Sequence, residues 1–197
     1  MHKILSLICL LSLVLAAQAQ RTLIHCGNLI DVKNGNTRTQ VTIVVEGNQI
    51  KVIENGFTKA VRNDLVIDLS KKTVMPGLID MHVHIEGETN KDQALQRFTS
   101  NEADIAFRST VFAKKTLMAG FTTVRDMGGS GVNIALRNAI AQGMVDGPRI
   151  VTAGKSIATT GGHGDPTNAY RKDLMGDPGP KEGVINSAED ARKAVRQ

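Results

Sequence analysis

The most informative segment of the chain is Pro76-Gly77-Leu78-Ile79-Asp80-Met81-His82-Val83-His84. Its apolar positions predict a strand over residues 78–85. Alternate side chains of a strand point to the same side, so Asp80, His82 and His84 share one face, with successive Cα atoms about 6.6 Å apart. Two imidazoles at this spacing can bind one divalent metal, which in a catalytic site keeps positions open for water. The alternative is a pair of structural histidines, but two imidazoles and a carboxylate on one face need a partner that offsets their desolvation.

Helix-length and strand-length patterns alternate after this segment. The predicted elements are a helix over residues 103–119, a strand over 122–126, a helix over 132–142 and a strand over 149–153. Gly120 and Gly143 follow the two helices, as is usual at helix ends. Strands separated by helices predict parallel pairing through crossovers and an α/β fold. The histidine pair would then lie at the carboxyl end of the first strand, where α/β barrels carry their active sites.

The residues before this segment have a different pattern. From residue 20 to residue 75, short runs of period two are separated by Asn34-Gly35, Gly47-Asn48 and Asn55-Gly56. Such pairs between apolar runs are typical of turns between strands. We therefore predict a small antiparallel β domain over residues 20–75 and an α/β domain over residues 76–197.

The N-terminus is typical of a secretory signal peptide over residues 1–19. Lys3 supplies a positive charge, residues 4–17 are almost wholly apolar, and Ala17-Gln18-Ala19 offers the small residues that precede a cleavage site. An uncleaved membrane anchor is the alternative, but this run is shorter than the roughly 20 residues that a spanning helix needs. We expect a mature protein that is exported to the periplasm or secreted and that is not membrane-bound.

The composition limits the classes of partner. The 197 residues include 24 basic and 19 acidic side chains, a net charge of +5, and the charges are scattered along the chain. Binding of nucleic acid is therefore not expected. Removal of residues 1–19 would leave Cys26 as the single cysteine, which excludes an intramolecular disulfide in the mature chain. A homo-oligomer is compatible with this composition.

An irregular segment rich in glycine and proline follows the last predicted strand, over residues 154–186. Segments of this length are more often functional than plain connections. His163 lies among glycines here, and we expect it to contact the substrate, for example at a peptide carboxylate, with Asp165 orienting its ring. A histidine that only hydrogen-bonds the loop backbone is an equal alternative. Ser187 then predicts the N-cap of a helix that continues toward Gln197.

Two further aspartates are candidates for the surroundings of a metal site. Asp80 could orient a neighbouring histidine without touching metal, with a structural role as the alternative. Asp126 ends the strand over residues 122–126 and could hydrogen-bond a ligating histidine. An ion pair with Arg125 that holds the loop in shape is the alternative for Asp126.

Three segments, residues 74–84, 119–129 and 160–165, resemble motifs of the metal-dependent amidohydrolase superfamily and occur in the family's order. Together they are similar to the branch that holds imidazolonepropionase-related proteins and amidohydrolase-type Xaa-Pro dipeptidases (prolidases). The likeness runs from about Leu23 to Gln197. It implies the first part of a (β/α)8 TIM-like barrel, about three of eight strands, preceded by part of a small β-sandwich domain.

The resemblance also implies an activity, namely hydrolysis of a peptide or related amide bond in a dipeptide or other small molecule. In the family, two metal ions, commonly zinc, hold a hydroxide that attacks the amide carbonyl, and His82 and His84 match two ligands of the more buried ion. The family's remaining ligands and its general-base aspartate lie on later strands, which we expect beyond Gln197. No catalytic residue is therefore assigned within this chain, and the chain alone is expected to be inactive.

Two alternatives stay open. A cyclic amidase or a deaminase of the same superfamily would carry the same His-X-His pair. Outside catalysis, the 197-residue chain would be an inert remnant that keeps a two-histidine metal site.

Overall fold

The computed structural model describes residues 20–196, so the predicted signal peptide lies outside the described residues. The chain divides into two compact units, one ending at Pro76 and the other beginning at Gly77. Among the described residues, no helix combines the length and the apolar character that a membrane span requires.

The first unit is a four-stranded sheet. Its strands are β1 (Arg21–Asp31), β2 (Asn36–Glu46), β3 (Gln49–Asn55) and β4 (Leu65–Val74), in the spatial order β3-β2-β1-β4. The pairs β1–β2 and β2–β3 are antiparallel, as predicted, but β1 and β4 are parallel. The prediction of a wholly antiparallel unit is therefore wrong for β4. Period-two alternation identifies a strand but carries no information on the direction of its neighbour, and the connection over residues 56–64 carries the chain back to the start of β1.

The core of this sheet is small and apolar. Cys26, Leu29, Val41 and Ile43 form its buried cluster. Gly27 lies so close to the Ser70 carbonyl that a Cβ would not fit, and the β1–β4 register shifts at this point. Glycine at position 27 thus permits the close approach of the two parallel strands.

The second unit is an α/β layer that contains the motif histidines. Its elements are β5 (Leu78–Val83), α1 (Gln93–Thr99), α2 (Glu102–Met118), β6 (Phe121–Asp126), α3 (Val132–Ala141), β7 (Arg149–Thr152), α4 (Lys172–Met175), a 3-10 turn (Pro180–Glu182) and α5 (Ala188–Val195). The sheet has the order β5-β6-β7, and both strand pairs are parallel. The parallel α/β architecture predicted for these residues is therefore confirmed.

Helices α2 and α3 each contribute one apolar residue, Ala113 and Leu136, to the buried core of this sheet, while Phe107, Val111 and Met118 of α2 are exposed. The buried cluster consists of Ile85, Ala113, Val124, Leu136 and Ile150. This packing holds the carboxyl ends of β5 and β6 side by side, with Met127 N–H bonded to the Val83 carbonyl at 3.0 Å. The loops that follow the two strands are thereby brought together.

Most helix boundaries agree with the sequence prediction, but the short helices α1 and α4 and the 3-10 turn were not predicted, the latter two lying in the segment expected to be irregular. Ser187 caps α5 as predicted, because its Oγ accepts from the Asp190 N–H at 3.1 Å. Helix α1 has seven residues, which is too short for an apolar period to identify it in sequence, and none of them is buried.

Candidate functional site

The two motif histidines lie at the carboxyl end of β5. His82 is within the strand and His84 follows its last residue. Their ring centroids are 5.5 Å apart with the planes at 69°, in an edge-to-face arrangement, and both side chains are exposed. The structure therefore brings the two rings together on one side of the segment.

His84 is held by the main chain of the neighbouring loop. Its Nδ1 lies 2.7 Å from the carbonyl oxygen of Gly128, which follows β6. Because a carbonyl only accepts hydrogen bonds, this contact requires a proton on Nδ1, and in the neutral ring the lone pair is then on Nε2. A ring held in this way is typical of metal-ligating histidines, so the donor set fits a divalent metal.

The described part of the chain offers two candidate ligands, His82 and His84. Among residues 20–196, no group of three or more His, Cys, Asp or Glu side chains is arranged to hold a metal ion. Asp80, predicted beside the histidines, is half-buried, and its Oδ1 accepts from the His82 backbone N–H at 3.0 Å. Asp80 thus contacts the main chain at His82, and this local contact holds the end of β5.

Asp126 is fully buried at the end of β6. Its carboxylate accepts from Gly128 N–H at 3.2 Å, from the Asn133 side-chain amide at 2.8 Å and from the Thr152 hydroxyl at 3.2 Å. The predicted hydrogen bond to a histidine is replaced by these contacts, and the link to His84 runs through Gly128. The alternative ion pair is also replaced, because the Arg125 Nε donates to the Met81 carbonyl at 2.8 Å.

Glu86 is a site residue that the sequence analysis missed. Its two carboxylate oxygens accept from the backbone N–H groups of Ser130 at 2.6 Å and Asn133 at 2.7 Å, at the start of α3. A carboxylate is favoured there by the unpaired N–H groups and the dipole of the helix. Glu86 therefore ties the segment that carries His84 to the loop that carries Gly128. Its place two residues after His84 was the available sequence signal.

The loop that carries His163 is ordered by Asp165. The Asp165 carboxylate is buried and accepts from Gly161 N–H at 2.7 Å, Thr167 N–H at 2.8 Å and the Thr167 hydroxyl at 2.7 Å. The backbone N–H of Gly161, followed by those from Thr167, lowers the pKa of Asp165 below its ordinary value. These bonds shape the loop around His163, so the structure gives Asp165 a role in the loop backbone instead of the predicted role in orienting the ring.

His84 and the His163 loop line one cavity of about 730 Å³, together with Arg97 and Ser156. A second cavity of about 630 Å³ also includes His84 and Arg97 and extends to Phe112 and Tyr170. The Arg97 guanidinium lies 4.8 Å from the centroid of the Tyr170 ring. The predicted metal ligand and the predicted substrate-contact loop thus face the same space, with α1 at its side.

Comparison with known proteins supports this architecture. The amidohydrolase family profile matches residues 73–197. A crystallised Xaa-Pro dipeptidase with methionine bound in its active site is 44% identical, with a TM-score of 0.82 over 90% of this chain and 44% of that one. A prolidase crystallised with N-methylphosphonate-L-proline is 32% identical, with a TM-score of 0.75 over 90% of this chain and 43% of that one. Ochratoxinase of Aspergillus niger is 30% identical over 138 residues, which are 62% of this chain and 28% of that protein.

The chain spans less than half the length of each of these relatives. Over that part, the similarity to the dipeptidase confirms the predicted α/β architecture and covers both described units. The matched family region includes the whole parallel sheet, both motif histidines and the His163 loop. On this evidence, the chain belongs to the amidohydrolase family.

Proposed function

We propose that this chain contributes to a metal-dependent hydrolase of the prolidase type, which cleaves the peptide bond of an Xaa-Pro dipeptide or a related amide. The proposal takes its substrate class from two relatives, the Xaa-Pro dipeptidase and the prolidase crystallised with a proline phosphonate. Since the chain spans 44% of that dipeptidase, the proposal concerns a catalytic centre to which residues 77–196 contribute one side.

The observation that carries the proposal is the hydrogen bond from His84 Nδ1 to the Gly128 carbonyl, beside the ring of His82. It leaves the His84 Nε2 lone pair available in an exposed position, which a structural histidine does not require. We propose that His82 and His84 hold a divalent metal, with zinc favoured because imidazole nitrogen is among its usual ligands. When bound, such a metal supplies polarisation of the amide carbonyl and lowers the pKa of a coordinated water.

The remaining residues bind and orient the substrate. His163 is exposed on the wall of the cavity of about 730 Å³, and we assign it a contact with the substrate carboxylate. Asp165 keeps the backbone of that loop in place through Gly161 and Thr167.

The complete product of the gene that encodes this chain provides the test. We expect it to hydrolyse Xaa-Pro dipeptides with added zinc, to lose this activity with a chelator, and to lose it on His82→Ala or His84→Ala. Hydrolysis of cyclic amides or release of ammonia, with no cleavage of any dipeptide in a panel, would overturn the prolidase assignment. Residues 20–196 assayed without further sequence are expected to be inactive, because they supply two metal-binding histidines and no third ligand.

Export is a separate part of the proposal. It rests on the apolar run over residues 4–17 and the small residues of Ala17-Gln18-Ala19. Expression in a Gram-negative host should give a soluble chain that begins at Gln20. Soluble protein whose intact mass retains residues 1–19 would contradict export by cleavage.

A further inference from the structure

A buried polar network lies directly behind His84. Gly128, whose carbonyl contacts the ring, is fixed on both sides. Its own N–H donates to Asp126, and the N–H of the next residue, Gly129, donates to the Gly154 carbonyl at 2.8 Å. The Asn133 side-chain amide bridges the two anchors, since it donates to Asp126 and to the Gly154 carbonyl at 2.8 Å each.

The orientation of the Asn133 amide has a cost. Its Oδ1 is buried and has no hydrogen-bond partner among the described residues. A buried amide oxygen without a donor is destabilising, because the loss of its hydration is not offset by a hydrogen bond. The amide nevertheless has this orientation, in which its two hydrogens are donated to the Asp126 carboxylate and the Gly154 carbonyl. These two hydrogen bonds therefore outweigh the missing hydrogen bond at Oδ1.

We propose that Asp126 is a positioning residue for His84: through Gly128 it fixes the imidazole in the tautomer that has the proton on Nδ1 and the free lone pair on Nε2. The inference rests on the proposed function only in taking His84 as a metal ligand. With the Gly128 oxygen held 2.7 Å from Nδ1, the other tautomer would place two lone pairs against each other. The peptide group between Gly128 and Gly129 takes part in two hydrogen bonds: its carbonyl accepts from His84 and its N–H donates to Gly154. Hydrogen bonds connected in series in this way strengthen one another.

The tautomer is measurable without catalysis. We would record the ring nitrogen signals of His84 by NMR in the metal-free protein from residue 20 onward, with His84→Ala for assignment. In the neutral ring we expect Nδ1 to be protonated and Nε2 to be unprotonated. A neutral His84 with its proton on Nε2 would overturn the proposal, whatever the variants do.

Asp126→Asn tests the positioning role. Whichever way the new amide is turned, its NH2 group faces either the Gly128 N–H or the Asn133 NH2 group. We expect a mixture of His84 tautomers and a zinc affinity lower by about 10- to 100-fold, the usual effect of changing a group that orients a ligand. The matched control is Asp146→Asn, at an aspartate that is 72% exposed, which should change neither readout.

Thr152→Val keeps the test decisive if Asp126→Asn does not fold. It removes the hydrogen bond to Asp126 and the acceptor of the Gly154 backbone N–H, with little change of side-chain shape, and it should lower zinc affinity by an amount near the smaller end of that range. A folded Asp126→Asn or Thr152→Val protein with unchanged tautomer and unchanged zinc affinity overturns the inference. Failure of the proposed function gives a different result, because His84→Ala would then leave zinc binding as it is in the unaltered protein.

Discussion

Gly128 lies against Ser156 so closely that a Cβ on residue 128 would overlap the Ser156 hydroxyl and backbone. Its φ of +140° is also a backbone conformation that residues other than glycine rarely adopt. The carbonyl that holds His84 is therefore at a position where only glycine fits.

Gly128→Ala should destabilise the second unit by about 1–3 kcal/mol and displace the carbonyl from His84. Thermal unfolding and zinc titration would measure the two effects. Gly87→Ala is the matched control, since a Cβ there meets no atom within 4 Å and should leave both quantities unchanged. Equal behaviour of the two variants would show that the Gly128 carbonyl tolerates displacement.

Zinc binding by the 197-residue chain should be weak and should depend on both motif histidines. His82→Ala and His84→Ala should each abolish it, because a single imidazole leaves one protein ligand where structural and catalytic sites have at least three. Titration with a zinc-sensitive competitor would measure the affinity. His25→Ala is the control, because His25 lies in the β unit and bonds the Thr58 carbonyl. Unchanged affinity after both motif histidines are replaced would place the metal elsewhere.

The two variants Glu86→Gln and Glu88→Gln compare the effects of two carboxylates on the free energy of unfolding. Glu86→Gln should lower the free energy of unfolding by about 1–2 kcal/mol, because one of the two backbone N–H groups at the start of α3 would face an amide NH2. Glu88→Gln should cost about 0.5 kcal/mol or less, because its ion pair with Lys115 is more than half exposed at both side chains. Chemical denaturation would compare them, and similar losses for both would contradict the role given to Glu86.

The contribution of Asp165 to stability should depend on pH. Hydrogen bonds from Gly161 and Thr167 lower its pKa in the folded protein, so its stabilisation is present above the pKa of the unfolded chain, about 4, and is lost as pH falls through the folded value. Asp165→Asn should therefore be less stable than the unaltered protein at neutral pH, and the difference should shrink in acid. Asp177→Asn, at an exposed aspartate of the same segment, should show no such convergence.

Local sequence patterns predicted most of the secondary-structure elements and the histidine pair, whereas contacts between residues far apart in sequence could not be predicted from them. The period of two places His82 and His84 on one side of a strand without reference to the rest of the chain. The role of Glu86 depends on Asn133, 47 residues later, and the direction of β4 depends on its pairing with β1. Neither relationship leaves a periodic signal. The Asp165 contacts are an exception, since Asp followed by Thr two residues later is a recognisable turn pattern that the sequence analysis did not use.

Cys26 is enclosed by Leu29, Val41 and Ile43 in the β unit, and burial raises the pKa of its thiol. Thiolate, and not thiol, attacks disulfides and alkylating agents, so the folded unit should be chemically unreactive at this position. In the protein from residue 20 onward, a thiol reagent such as Ellman's should titrate Cys26 only after unfolding. Reaction at the native state would contradict its enclosure. In an oxidising compartment, a sulfur sheltered in this way does not cross-link one molecule to the next.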